Sequence, residues 1–325
     1  MTPTSRALAL IATLFLALGG CGGTDSAGPP TVGFVDAFQD STIARARDGF
    51  LQALADKGYS EADGTLRVIY RNAQGDIPTL TQIVKYLVAE GVTLMATSPS
   101  LSTITAIQNT KEIPIFMMVA PTPELMQVRD SGGRDPPNLF GVAENLDYID
   151  TSFSLIPHLL TPRGERLRVG LLYNQSEPQS VAAHGRLSQL ATELGVELVA
   201  RPVNTTADVH LVTGALLNAN LDGFFANPDN TVFGAFETIL KSCDQAGVPI
   251  FTSEAGLVAR GAVAAYGADI YTWGYQAGEQ AATFLSTGST AGMTWEMVQL
   301  RHKVYNPEAA ERFGIGVPPD FVPAR

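Results

Sequence analysis

Residues 31–58 read TVGFVDAFQDSTIARARDGFLQALADKG and contain one complete strand-and-helix unit. The run 31–36 is short, mostly apolar and followed by a polar turn, which is typical of a buried strand. Gly58 stands where a glycine commonly ends a helix. Between the two, apolar side chains recur at helical spacing, at Ile43, Ala46, Phe50, Leu51 and Leu54.

The same unit recurs along the chain. Strands are predicted at 66–70, 92–97, 113–119, 139–142, 167–173, 196–203, 223–226 and 248–252. Helices are predicted at 77–90, 101–110, 124–129, 148–160, 181–194, 208–218 and 232–246. This alternation predicts an α/β fold of parallel sheets covered by helices on both faces. The 325 residues fall into two such series and have the length of two domains, so we expect two Rossmann-like lobes.

The tail departs from this alternation, with a strand predicted at 262–266, a helix at 270–285 and a last strand at 297–305. These elements are too few for a third domain and are expected to join the two lobes. The chain would then cross between lobes near 141–145, 265–267 and 292–296. Three crossings form a hinge, and a hinged pair of lobes forms a cleft that can close on a ligand. The expected N-terminal lobe is 31–141 plus 266–294, and the C-terminal lobe is 142–265 plus 295–325.

The first thirty residues look like an export signal and a tether. Arg6 precedes the apolar run LALIATLFLAL at 8–18, which is too short to span a bilayer comfortably. The following Leu18-Gly19-Gly20-Cys21 resembles a bacterial lipobox, which implies a signal peptide at 1–20 and a lipid on Cys21. The alternative is ordinary cleavage nearby with a free thiol. Residues 21–30 then form a flexible tether, and no other apolar run approaches the length of a membrane span.

Composition excludes several classes of protein. Lys and Arg number 21 against 32 Asp and Glu, a net charge of −11 that lacks the basic surface of a general nucleic-acid binder. Two cysteines and four histidines make neither a disulfide framework nor a histidine-rich metal centre, so no metal and no cofactor is expected. The G-x-S-x-G, H-E-x-x-H and G-x-x-x-x-G-K-[ST] motifs are absent from the sequence. No catalytic residue is predicted.

Candidate ligand-binding residues follow from the fold alone, because ligands of parallel α/β sheets bind beyond the carboxyl ends of the strands. A helix start at Ser98 and Ser100 favours an anionic group, whereas Glu177, Asp229 and Glu254 could hold an ammonium group. Helix capping is the alternative role for several of these residues. The full set is Asp36, Phe38, Ser98, Ser100, Ala120, Asn174, Glu177, Asn227, Asp229, Asn230 and Glu254.

Several segments resemble ABC-transporter substrate-binding lipoproteins of the tryptophan/tyrosine-binding type, a branch of the type I periplasmic binding proteins. The resembling segments are 32–34 (VGF), 96–100 (ATSPS), 113–116 (IPIF), 173–178 (YNQSEP), 228–232 (PDNTV) and 253–262 (SEAGLVARGA). The resemblance implies two lobes, a three-segment hinge, a small-molecule site in the cleft, and delivery of cargo to a permease powered by a separate ATPase. Departures from the family pattern at 36–40, Gln175 and Asn227 argue against carrying over its specificity for aromatic amino acids, and they leave the implied fold and transport role unaffected.

We therefore expect an exported, lipid-anchored and monomeric solute-binding protein of an ABC importer. Its cargo would be a small polar or zwitterionic molecule such as an amino acid. A sensor lipoprotein of the same fold, coupled to a signalling partner, is the nearest alternative. A secreted enzyme is a more distant one.

Overall fold

The computed structural model describes residues 28–227 and 229–324, which form two α/β lobes. The predicted signal peptide and Cys21 lie outside the described residues. The first lobe contains a wholly parallel sheet of strand order β11-β5-β4-β3-β1-β2. Its strands are β1 (Thr31–Asp36), β2 (Arg67–Asn72), β3 (Leu94–Ser98), β4 (Ile115–Pro121), β5 (Leu139–Glu144) and β11 (Glu296–Met297).

The sheet of the second lobe has the order β13-β12-β10-β9-β8-β6-β7. It is parallel except where β12 runs antiparallel to β10. Its strands are β6 (Arg168–Asn174), β7 (Glu197–Val203), β8 (Gly223–Ala226), β9 (Ile250–Thr252), β10 (Ala264–Ala268), β12 (Arg301–Tyr305) and β13 (Val322–Pro323). The antiparallel β12 is the departure from the parallel sheets that the sequence predicts.

Helices cover both sheets. In the first lobe they are α1 (Ser41–Asp56), α2 (Ile77–Ala89), α3 (Ser100–Asn109) and α10 (Ile270–Thr287). In the second lobe they are α4 (Asp147–Leu159), α5 (Pro178–Glu193), α6 (Thr206–Leu217), α7 (Asn230–Gly234), α8 (Phe236–Ala246), α9 (Ala255–Ala259) and α11 (Pro307–Phe313).

Helix α10 returns to the first lobe because glycines let it approach α1 closely. A Cβ on Gly274 would lie 1.8 Å from the carbonyl oxygen of Ala46, and one on Gly49 would lie 2.0 Å from that of Tyr271. Only residues without a side chain fit at this spacing. Phe34 and Phe50 pack edge to face below α1 with ring centroids 5.3 Å apart. The tail therefore completes the core of the first lobe.

The chain crosses between the lobes three times within the described residues: after β5, after β10 and between β11 and β12. The last crossing, at 298–300, differs from the predicted 292–296. The first sheet also includes β5 up to Glu144 and β11 at Glu296–Met297, a few residues beyond the boundaries expected at 141 and 294. The third crossing was misplaced because apolar residues continue from β11 through the crossing into β12, so that 297–305 resembles one continuous strand in the sequence.

Three further predictions of local structure were wrong. Residues 123–127 form a turn where a helix was expected at 124–129. The helix predicted at 232–246 is two helices, because Ala235 has φ −121° and ψ 15° and interrupts it. The predicted strand at 297–305 is split between the two sheets. In addition, the short helices α9 and α11 were not predicted.

Candidate functional site

A cavity lies between the lobes at the carboxyl ends of both sheets, where α/β folds bind their ligands. The empty space in and at the mouth of this cavity, including the part open to solvent, is about 530 Å³. Its walls come from both lobes, from the first crossing segment and from α10. The lining residues are Pro99, Ser100, Val119, Ala120, Pro121, Glu144, Asn145, Leu146, Tyr148, Gln179, Ala183, Asp229, Asn230, Phe233, Glu254 and Trp273.

Ser100 joins the two lobes on one side of this cavity. It is the first residue of α3, which begins directly beyond β3. Its Oγ accepts hydrogen bonds from Asn230 Nδ2 at 3.0 Å and from Gln179 Nε2 at 3.2 Å, both in the second lobe. The lobes are thus in direct polar contact, and the structure shows the cleft closed.

A second contact between the lobes lies at the start of α1. Asp40 caps this helix, with its Oδ1 accepting from the amides of Thr42 and Ile43 at 2.9 Å. Its Oδ2 accepts from Arg260 of the second lobe at 2.5 Å. Beside this ion pair, a Cβ on Gly256 would lie 1.9 Å from Thr42 Cγ2. The absence of a side chain at Gly256 therefore permits this close approach.

Asp229 lines the cavity, but donors of its own lobe occupy its carboxylate. Its Oδ1 accepts from the amide of Val232 at 2.7 Å and so caps α7. Its Oδ2 accepts from Ser180 Oγ at 2.8 Å and from the amide of Asn174 at 3.2 Å. The sequence argument offered ammonium binding or helix capping for this residue, and the structure shows capping.

Glu177 is engaged in the same way, just behind the cavity wall. Its Oε2 accepts from Asn230 Nδ2 at 2.6 Å and from Gln179 Nε2 at 2.7 Å, and its Oε1 accepts from Asn174 Nδ2 at 3.1 Å. Burial and the neighbouring Asp229 raise the pKa of this carboxyl, while the hydrogen bonds from Asn230 and Asn174 oppose the rise. Glu177 thereby orients Asn230 and Gln179 towards Ser100.

Glu144 and Glu254 present a different arrangement. Glu144 ends β5 in the first lobe, and Glu254 precedes α9 in the second. Each side chain is only 2% exposed and lines the cavity, yet each leaves its Oε2 without a hydrogen-bond partner among the described residues. Burial raises the pKa of Glu144 to about 7, opposed by Arg301. Burial, reinforced by Glu144, raises the pKa of Glu254 well above its usual range.

Arg301 supplies the positive charge near this pair. It lies at the start of β12, just beyond the third crossing, and its guanidinium forms an ion pair with Glu144 Oε1. It also lies over the ring of Tyr148, 5.7 Å from the centroid. One guanidinium therefore faces two buried carboxyl groups.

The remaining cavity wall is largely apolar. Trp273 is held in place by a 2.8 Å hydrogen bond from its Nε1 to the carbonyl of Val142. Val119 lies at a register shift of β4 and has φ 52°, a strained conformation for a β-branched residue. Such strain is concentrated at functional sites. Together with Phe233, Leu146 and Tyr148, these side chains form a surface suited to an apolar ligand group.

The structure brings part of the predicted site together at the cavity: Ser100, Ala120, Asp229, Asn230 and Glu254. A second group lies behind that wall in the polar network and consists of Asn174, Glu177 and Asn227, with Asn227 Nδ2 donating to Ser180 Oγ at 3.2 Å. A third group does not line the cavity and consists of Asp36, Phe38 and Ser98.

The three residues outside the cavity wall have structural surroundings of their own. Asp36 lies 3.7 Å from Arg47, and burial raises its pKa to about 6. Phe38 packs against the hydrophobic core of the first lobe. Ser98 is buried, and its Oγ has no partner among the described residues.

Sequence reasoning missed several cavity residues. Glu144 follows the same carboxyl-end rule, but the predicted strand ended at residue 142 and so did not reach it. Gln179 and Tyr148 lie on helices, where the rule gives no signal. Trp273 lies on α10, a predicted helix that the sequence did not connect to the site. Arg301 does not line the cavity but pairs with Glu144, and it lies in a strand whose position in the sheets was predicted incorrectly.

Two classes of site find no support in the described part of the chain. Within residues 28–227 and 229–324, no group of three or more His, Cys, Asp or Glu side chains could hold a metal ion. Nor does any helix there have the length and apolar character needed to cross a membrane.

Comparison with known proteins decides the family. The family model described as ABC transporter substrate binding protein matches residues 32–322, nearly the whole described chain. The chain belongs to this family. The family is one of solute-binding proteins and not of enzymes, and the two-lobed fold with its interlobe cavity agrees with that description.

Relatives of this substrate-binding protein include a tyrosine-binding protein of Clostridioides difficile (strain R20291). The two are 29% identical over 269 residues, which are 83% of this chain and 76% of the relative. Among solved structures, a conserved domain protein of Vibrio cholerae has a TM-score of 0.80 and 25% identity, covering 91% of this chain and 99% of its own.

A further structure shares the type I periplasmic binding protein fold. It is an ABC domain from Streptococcus pneumonia in complex with L-Trp, with a TM-score of 0.79 and 22% identity, and the match covers 90% of this chain and 96% of that one.

Proposed function

We propose that this protein is the extracytoplasmic binding component of an ABC importer and binds a free amino acid with an apolar side chain. The observation that carries the proposal is the cavity itself, which combines an apolar wall with unpartnered carboxylate oxygens from both lobes. An amino acid has a cationic, an anionic and an apolar part, and each has a matching region in this cavity.

The cationic part would lie between Glu144 and Glu254. Both are buried, and each has an oxygen that accepts no hydrogen bond from the described residues. A buried polar atom without a partner is costly, and a ligand ammonium group would supply the missing donors. Contact with an ammonium group, which the sequence suggested for Asp229, is therefore proposed for Glu144 instead. It is still proposed for Glu254.

The anionic part would lie at the start of α3. The first amides of a helix have no intrahelical acceptor, and the helix dipole adds to their attraction for a carboxylate. Pro99 and Ser100, at the start of this helix, line the cavity. The apolar part would contact Trp273, Phe233 and Val119. The names of the Clostridioides difficile and Streptococcus proteins, one tyrosine-binding and one in complex with L-Trp, support an aromatic side chain there.

A thermal-shift screen against amino acids, sugars and nucleosides tests the proposal. A ligand at 100 times its dissociation constant adds about 2.7 kcal/mol to the free energy of unfolding. We expect L-tryptophan or L-tyrosine to stabilise the protein, and tryptamine and indole-3-propionate, which each lack one charged group, to do so much less. Stabilisation by a sugar or nucleoside alone would refute the amino-acid assignment.

We propose in addition that the mature protein is anchored through a lipid on Cys21, which lies outside the described residues. Cys21→Ala should move the protein from the detergent phase to the aqueous phase in a phase-partition experiment. Cys243→Ala is the matched control, because Cys243 is a buried thiol in α8 and should leave the partition unchanged. Recovery of the wild-type protein in the aqueous phase would exclude the anchor.

A further inference from the structure

The two lobes place one buried carboxyl group each at the same end of the cavity. Glu144 is the last residue of β5, and Glu254 directly precedes α9. Both line the cavity and are 2% exposed, and the Oε2 of each lacks a partner among the described residues. Glu254 occupies the N-cap position of α9, but its side chain makes no capping hydrogen bond there.

The charged and titratable groups around Glu144 and Glu254 do not neutralise the two negative charges that this pair carries when both carboxyls are ionised. Arg301 of β12 forms an ion pair with Glu144 and is the positive group that acts on both glutamates. Asp147 and Tyr148 of α4 add a negative charge and a neutral phenol, and Asp229 across the cavity is engaged by α7. With both glutamates ionised, one buried negative charge is left without a partner, which is strongly unfavourable in a site of low polarity.

A proton on either glutamate removes this imbalance when the cavity holds no ligand. We propose that the unliganded protein carries one proton on the Glu144–Glu254 pair, and that the cationic head group of the ligand displaces this proton to the solvent. The inference rests on the proposed function and deepens it. No covalent bond of the ligand changes, since the ammonium group enters as a cation and the carboxyl O–H releases its proton to the buffer.

Proton displacement makes affinity depend on pH. A ligand that requires the ionised pair competes with protons, so its affinity falls as the pH falls below the carboxyl pKa. Because burial raises the pKa of both carboxyls, that of Glu144 to about 7, binding should weaken severalfold as the pH falls from 8 to 6. The protein would therefore release its cargo more readily in acid.

Calorimetric titration with L-tryptophan and L-tyrosine tests the proton count. Near pH 6.5, phosphate and imidazole buffers have different ionisation enthalpies, so the difference in binding heat reports the protons released. We expect close to one proton per ligand for the wild type and for Glu165→Gln, which removes an exposed carboxylate. Glu254→Gln should bind with almost no proton release.

The unliganded protein provides a second and independent measurement. A carboxyl whose pKa is higher in the folded than in the unfolded chain contributes stability at low pH that is lost as the pH rises through the folded pKa. Relative to Glu254→Gln, the wild type should therefore lose stability as the pH rises above 4.5, the ordinary pKa of a glutamate, towards the raised pKa of Glu254, whereas Glu165→Gln should follow the wild type. This profile requires no ligand.

The outcomes separate the two proposals. Amino-acid binding without proton release, or a wild type and Glu254→Gln with parallel stability profiles, would overturn the proton exchange and leave the proposed function intact. Absence of binding by every amino acid in the screen would overturn the proposed function and the displacement step with it.

Discussion

Two pairs of buried carboxyl groups border the same cavity and differ in what surrounds their oxygens. Glu177 and Asp229 belong to one lobe, and amides and a hydroxyl of that lobe donate hydrogen bonds to all four of their oxygens. Glu144 and Glu254 belong to different lobes, and the Oε2 of each has no partner among the described residues. The first pair holds together elements of one lobe, whereas the second is the pair for which we propose a ligand donor.

This difference shows how burial alone can mislead. Burial raises the pKa of groups in both pairs, so a raised pKa does not identify the ligand site. The donors distinguish the two pairs within this cavity, because a buried acceptor without a donor is costly, and this difference is the basis on which we propose the second pair as the ligand contact. The following predictions test whether Glu144 and Glu254 determine ligand affinity, and whether Glu177 and Asp229 determine the stability of the fold.

The largest effect is expected for Glu254→Gln. The substitution keeps the shape but replaces a ligand-facing carboxylate by a neutral amide, and loss of a buried charged partner typically costs about 2–5 kcal/mol of binding. Calorimetry at pH 8 should therefore show affinity for the amino acid reduced by more than tenfold, with the free energy of unfolding unchanged or increased. Unchanged affinity would remove Glu254 from the site.

Gly256→Ala should hinder closure of the two lobes and thereby keep Glu144 and Glu254 from approaching the ligand together. The new methyl group would meet Thr42 of the other lobe, and overpacking of this kind costs about 1–3 kcal/mol. Each lobe stays intact, because alanine suits the helix α9. Small-angle scattering should show a larger radius of gyration with ligand than for the wild type, and affinity should fall.

The double variant Gly256→Ala with Thr42→Ser is the matched control. Serine removes the methyl group that clashes and keeps the hydroxyl near Arg260. Recovery of affinity and compactness is expected, and a loss that the serine does not rescue would argue against this closure contact.

Asp229→Asn changes one of the two carboxylates that are fully hydrogen-bonded within their own lobe, and it should therefore lower the free energy of unfolding. The amide replaces one accepting oxygen by an NH2 donor, so it cannot accept from Val232 with one atom and from Ser180 and Asn174 with the other, as the carboxylate does. At least one buried donor loses its acceptor, which costs about 1–3 kcal/mol. Denaturant unfolding should show this loss, with a smaller loss of affinity than in Glu254→Gln. The reverse ranking would restore the role that the sequence suggested for Asp229.

The smallest effect is expected for Ser100→Ala. It removes two hydrogen bonds between the lobes, each worth about 0.5–1.5 kcal/mol, while Asn230 and Gln179 remain bonded to Glu177. Because both amides keep Glu177 as an acceptor, affinity should fall only about fivefold, the lower limit for two such bonds. The free energy of unfolding should change little, and the exposed Ser176→Ala should change neither quantity. A loss as large as that of Glu254→Gln would instead make Ser100 a direct ligand contact.

The fold could be predicted because its signals are local. The strand at 31–36, the helix that follows and the glycine that ends it are encoded by neighbouring residues, and the structure confirms them. The prediction errors occur where contacts between residues far apart in the sequence determine the secondary structure or the sheet to which a strand belongs. The break at Ala235 and the division of 297–305 between two sheets depend on packing partners far along the chain.

Sequence alone determined the α/β alternation, the two lobes and the sheet edge where a ligand would bind, because apolar periodicity and strand ends are properties of short segments. Only the tertiary structure decided which carboxylate oxygens accept hydrogen bonds from the protein and which do not. Glu144 meets Arg301 across 157 residues of chain, and Asp229 accepts from Asn174 across 55. Hydrogen-bond satisfaction depends on atoms brought together by folding, and no local pattern encodes it.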